Sequence, residues 1–270
     1  MNARVFQSAM VALILGMCQS TYGISIGFQE GVSPSVGYQS GVATLNQGAP
    51  DANGATGASN YIGHSGTGAN AAFRSLDAFD ISAIPAGSTI NSVTLTLYGR
   101  GAAVAGASST SYTIELHELI GAGTEAGVTW NNRFDAAPAG AGGADGPWTN
   151  AGGDFSPTVL SSLSAAPSGV ALNSAYLFSS SAAFVAAAQS ALDGSGTLYL
   201  LGIAPVGEVA SVETRFNFGS DDFATAALRP LLSIDYTAPV PEPTSVFLIG
   251  FGMTAFAAFK RRMRKCVVAA

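Results

Sequence analysis

Apolar and polar residues alternate with period two in several stretches of this chain. In residues 89–98, Val93, Leu95 and Leu97 alternate with Thr94, Thr96 and Tyr98. Residues 111–119 set Tyr112, Ile114 and Leu116 against Thr113, Glu115 and His117. Residues 211–218 set Val212, Thr214, Phe216 and Phe218 against Glu213, Arg215 and Asn217, and residues 231–236 do the same with Leu232, Ile234 and Tyr236 on one side. Residues 197–203 are almost continuously apolar, as a strand covered on both faces would be. Period-two runs separated by Gly, Pro and Asn predict a mainly β, antiparallel sandwich. One stretch differs. Phe184, Val185, Ala188 and Leu192 recur at helical spacing behind a serine cluster able to cap them, which predicts one short helix over 181–192 crossing an end of the sandwich. The Gly- and Ala-rich stretches 99–110 and 135–153 read as loops.

Both ends carry a different signature. Met1-Asn2-Ala3-Arg4 places one positive charge before an apolar run over 9–17, and small or polar residues follow to Gly23. This is the pattern of a secretory signal peptide over 1–23, forming a signal helix. Met17 is bulky where the box before a lipidated Cys18 has a small residue. At the other end Val240-Pro241-Glu242-Pro243 precedes an uncharged apolar run over 244–259 and then Lys260-Arg261-Arg262-Met263-Arg264-Lys265. Pro243 can open a helix, because its missing N–H is an orphan there anyway. The run is slightly short of the ~20 residues a span needs, but long basic side chains reach the interface. The cluster Lys260, Arg261, Arg262, Arg264 and Lys265 fixes that end in the cytoplasm, so 244–259 is expected to be a transmembrane helix.

This three-part tail, over 238–270, resembles the PEP-CTERM sorting signal of Gram-negative bacteria that make exopolysaccharide. The resemblance implies recognition by an exosortase, with processing near Val240, Pro241, Glu242 and Pro243. It also implies a route through signal peptidase and the Sec translocon. The protein would pass through an inner-membrane intermediate to the cell surface or extracellular matrix.

Charge narrows the passenger over 24–237. Five arginines (Arg74, Arg100, Arg133, Arg215, Arg229) face sixteen acids between Glu30 and Asp235, leaving the interior at −11 with no lysine. Such a domain has no basic footprint for nucleic acid. It would repel polyanions unless a divalent cation bridged them. The two cysteines, Cys18 and Cys266, lie in the end segments. With both ends removed, a disulfide framework and a thiol nucleophile are excluded.

The order of the passenger's motifs resembles the DNRLRE, or family-96, carbohydrate-binding jelly roll. The matching residues are Phe73-Arg74-Ser75-Leu76 with Phe79-Asp80-Ile81-Ser82, Pro85-Ala86-Gly87-Ser88-Thr89-Ile90 through Tyr98, Gly127-Val128-Thr129-Trp130-Asn131-Asn132, and Arg229-Pro230-Leu231 through Tyr236. The resemblance implies a jelly-roll-like β-sandwich that associates with polysaccharide. Trp148, in a Gly- and Pro-rich loop, could be exposed there and stack on a sugar ring, and Trp130 is expected to belong mainly to the core, with a ligand-facing position as its alternative. Asn131, Asn132 and Arg133 could bond hydroxyls or simply shape a turn. Asp221 and Asp222 could contribute to a Ca²⁺ site, although no calcium-loop string surrounds them. His117-Glu118 opens like a zinc-protease helix, but the second histidine is missing and the segment alternates like a strand. His64 stands outside any nucleophile elbow. The expected function is therefore non-enzymatic association with extracellular polysaccharide. The alternatives are a purely structural or adhesive matrix protein and a glycan-cleaving enzyme.

Overall fold

The computed structural model describes residues 23–66, 71–121, 125–134 and 146–239. The expected signal helix, the motif at 240–243, the span over 244–259 and the basic cluster lie outside them. Among the described residues no helix is long and apolar enough to cross a membrane.

Residues Gly23–Ala238 form one compact unit, which begins one residue before the expected boundary and ends one after. It is built almost entirely of antiparallel strands. Four of them make one sheet in the order β1 (Gly23–Phe28), β13 (Leu231–Thr237), β5 (Thr89–Tyr98), β10 (Ala175–Phe178). The larger sheet has seven strands. Six run β12 (Phe216–Gly219), β3 (Ser59–His64), β4 (Ala72–Asp80), β11 (Thr197–Ile203), β6 (Tyr112–Leu119), β9 (Phe155–Ala165), and β2 (Gly41–Asn46) also pairs with β4. The short strands β7 (Asn132–Phe134) and β8 (Gly146–Pro147) pair with each other. Neither large sheet closes on itself.

The alternation seen in the sequence is the burial pattern. Val93, Leu95 and Leu97 of β5 and Leu232, Ile234 and Tyr236 of β13 are buried. Ile90 is buried as well, although it lies three positions from Val93. A register shift explains this: Asp235 pairs with Ser92 but Tyr236 with Ile90, so Asn91 is the extra residue of a bulge. The main core joins these side chains to Phe79, Leu116, Leu200, Phe216 and Phe218 from the larger sheet. A second, smaller core lies on the other face of the larger sheet. There Leu45, Leu76, Leu119 and Leu201 meet Val128, Trp130 and Trp148. This explains why β11 is apolar on both faces: Leu198 and Leu200 serve one core, Leu201 and Ile203 the other.

The helix expected over 181–192 is present as α1 (Ala182–Asp193). Ser181 caps it, accepting from Phe184 N at 3.0 Å while donating to Leu160 O. Phe184 is fully buried, and α1 packs on β5, β9 and β11, so it touches both sheets. Gln189 fastens it further, accepting from Ile90 N and donating to Ser88 O.

One strand is shorter than its pattern predicts. Of residues 211–218 only the part from Phe216 onward is strand. Thr214 is the reason. It is fully buried, its hydroxyl donates to Gly207 O and accepts from His64 N, and this ties 207–214 into a loop. Such side-chain bonds compete with the ladder.

Candidate functional site

Of the sequence-predicted glycan contacts, the two tryptophans lie in the second core instead of facing solvent. Trp148 is 5% exposed and Trp130 6%. The Trp148 indole donates to Thr129 O at 3.0 Å, and its backbone N donates to Asn131 O. The loop around Trp148 is exposed at Thr149 and Asn150, but the ring turns inward to cover the sheet. The expectation of an exposed Trp148 platform is thereby corrected. A large apolar ring in a Gly-rich loop gains more by burial than by display. Asn131 donates to Asp51, buried Asn132 donates its backbone N–H to Thr129 Oγ1, and Arg133 alone of the three is exposed. The run shapes a turn. Asp154 completes it by accepting from Thr149 N and Asn150 N, bonds that hold its carboxyl below the usual range although burial opposes them.

Beside Trp130 lies an open cleft of about 570 Å³. Its floor is Arg74, whose Nε and Nη2 each donate to a separate Glu208 oxygen at 3.0 Å. Arg74 Nη1 donates to Gly152 O. The guanidinium lies 5.0 Å from the Trp130 ring centroid. A Cβ on Gly152 would meet both Arg74 and Trp130 at 2.8 Å, and φ there is +89°, so only glycine allows the stack. Gln47, His64, Val209 and Ser211 complete the walls. Gly66 N donates to His64 Nδ1 at 2.9 Å, so Nδ1 is the accepting ring nitrogen and Nε2 is the one left to donate. The cleft thus offers amide, imidazole and carboxylate groups beside apolar surface, the combination of polar and apolar contacts found in ligand pockets. Arg74 was visible in the sequence as part of a motif. Glu208, 134 positions away, carried no signal.

Asp221 sits elsewhere, in a cluster of acids. It is 2% exposed. Its Oδ2 accepts from Val42 N at 2.9 Å and its Oδ1 from Asp222 N at 3.1 Å. Burial and the nearby Glu125 and Glu30 push its carboxyl up to about 8. Glu125 hydrogen-bonds Asp221 and is pushed up to about 7, by burial first and then by Glu30 and Asp222. Glu30 is anchored by Ser40 N at 3.1 Å and by Arg229 at 3.6 Å. Asp222 is exposed. The pair Glu125–Asp221 therefore holds a proton at neutral pH, because two touching carboxylates cannot both ionise cheaply. Among the described residues no three His, Cys, Asp or Glu side chains form a group able to hold a metal ion. Both Asp221 oxygens are already taken by backbone N–H groups. His117 lies on strand β6, against Phe155 at 4.9 Å and Glu115 at 3.3 Å.

A PEP-CTERM protein-sorting motif matches residues 239–265. The chain is accordingly an exported protein targeted to an exosortase and directed through the membrane to the cell surface. No family match supports the passenger's resemblance to the carbohydrate-binding jelly roll. No curated protein matches the chain.

Proposed function

We propose that the exported domain is a non-enzymatic surface or matrix protein of a Gram-negative bacterium, a jelly-roll-like β-sandwich that associates with a neutral exopolysaccharide. The observation that carries the reading is the cleft over Arg74. Its cation is already matched by Glu208, so the floor has no unmatched positive charge to draw an acidic sugar. Glu208, Gln47 and His64 Nε2 offer acceptors and donors for hydroxyls, and the exposed Val209 offers apolar contact for the C–H face of a sugar ring. The domain's charge of −11 points the same way.

The test is retention on insoluble neutral polysaccharides, with the wild-type chain compared to Val209→Arg. Val209 is 83% exposed, so the arginine obstructs the cleft without disturbing the core. The reading expects retention that the variant loses. Equal retention of both, or none by either, would overturn it. The burial of both tryptophans favours a second reading, a structural or adhesive protein with no glycan site, and the absence of retention would select that one. Reducing ends released from the polysaccharide by the wild type but not by Asp221→Asn would overturn the non-enzymatic assignment.

A further inference from the structure

The cleft over Arg74 continues past its own rim. Gly66 lines it and also lines a second open depression, of about 410 Å³. The wall between the two is a short antiparallel contact, in which Ser65 bridges Glu213 and Thr214 N donates to His64 O. Successive residues of an extended chain face opposite sides. His64 accordingly lines the first depression and Ser65 the second. Gly66 is the residue of this wall that borders both depressions, and it forms the saddle between them. Its φ is +71°, and a Cβ there would meet Glu213 N at 2.5 Å. Only glycine fits this position, so Gly66 itself puts no side chain on the saddle.

The two depressions are built alike. In the first, Arg74 forks onto Glu208 and lies 5.0 Å from Trp130 and 5.7 Å from Phe155. In the second, Arg215 forks onto Glu213, at 2.6 and 3.1 Å, and lies 5.5 Å from Tyr61 and 5.1 Å from Phe73. Phe73 and Arg74 are neighbours on β4, so one stack forms on each face of the strand. Each floor therefore presents a carboxylate held rigid by a guanidinium that is itself held by rings. Each also has a valine at its edge: Val209, 83% exposed, and Val104, 39% exposed. In both, the cation is matched by its own glutamate.

We infer that the two depressions are consecutive subsites for one glycan chain crossing the saddle at Gly66. The domain then recognises the interior of a linear neutral polysaccharide and not a terminal sugar. This rests on the glycan reading above, and it adds the length and the path of the ligand. Each rigid carboxylate accepts from sugar hydroxyls, and each valine covers C–H surface. Binding at one subsite raises the effective concentration at the other.

The test is calorimetric titration of the full chain with neutral hexose oligosaccharides, from monosaccharide to octasaccharide. Wild type is compared with Val209→Arg, which obstructs the first subsite, and Ala105→Arg, which obstructs the second from an exposed loop position. Wild-type affinity is expected to rise about tenfold or more with length, as a linked second contact provides. Ala105→Arg should retain the affinity for short sugars and lose the gain with length. Val209→Arg should weaken all lengths. A wild-type affinity independent of length, or a length gain that Ala105→Arg leaves intact, overturns the two-subsite inference while the glycan reading stands. No binding of any oligosaccharide overturns both.

Discussion

Glu125→Gln probes the proton shared with Asp221. In the folded chain both carboxyls titrate far above their unfolded values: Asp221 moves from 3.8 to about 8 and Glu125 from 4.5 to about 7. Between those limits the folded state holds protons that the unfolded state has released, one from each carboxyl. Stability is therefore fully present only below the unfolded values, under about pH 3.5, and it falls as pH rises toward 8. Each retained proton gives a slope approaching ~1.4 kcal/mol per pH unit. The realised loss is smaller, because Glu125 is partly solvated and screening reduces its share. Glutamine keeps the side chain's length, donates an amide N–H to Asp221 and removes the repulsion. Loss of the Glu125 charge lowers the Asp221 carboxyl, and each pKa unit by which it falls makes the variant up to about 1.4 kcal/mol more stable than wild type at pH 8, which is roughly 3–6 °C in Tm for a domain of this size. At pH 4.5, where both carboxyls are protonated in the folded wild type, the difference is expected to vanish. The assay is thermal unfolding followed by circular dichroism from pH 4.5 to 8.5, with a chelator present so that no stray cation bridges the acids. A wild type that gains stability toward pH 8, or a variant less stable than wild type there, would refute the shared proton.

Three further outcomes follow from the same structure. Trp148→Ala removes a buried ring and leaves Thr129 O without its indole donor; it should cost about 3–5 kcal/mol in urea unfolding, and a cost below about 1 kcal/mol would mean the ring is not packed as described. Ser181→Ala should cost about 1 kcal/mol through loss of the α1 cap, and an unchanged midpoint in the same assay would contradict the capping role. Replacing Pro241, Glu242 and Pro243 together by alanine removes the centre of the sorting motif; fractionation and immunoblotting should show unprocessed chain accumulating in the membrane, and normal processing would show that the motif is not what the exosortase reads.

Much of this protein was legible along the chain, because its signals are local. The alternation in β5 and β13 reflects a pleat that sends neighbouring residues to opposite faces, so the burial of Val93, Leu95, Ile234 and Tyr236 could be read directly. Ser181 ahead of Phe184 is likewise a cap within one turn. The tail's Pro-Glu-Pro, apolar run and basic cluster lie within about 30 consecutive residues of the sequence, and that order alone carries the address. What tertiary structure decided is what depends on distant partners. Composition could not say which way the Trp148 ring turns; the second core over Leu76 and Leu201 did. Residues 211–215 alternate like a strand, but Thr214 bonding to Gly207 and His64 makes them a loop. Arg74 acquires meaning only when Glu208 and Trp130 arrive beside it, and Asp221 only when Glu125 and Glu30 do. Ion pairs and proton sharing act over a few ångströms of space, and sequence separation places no constraint on them.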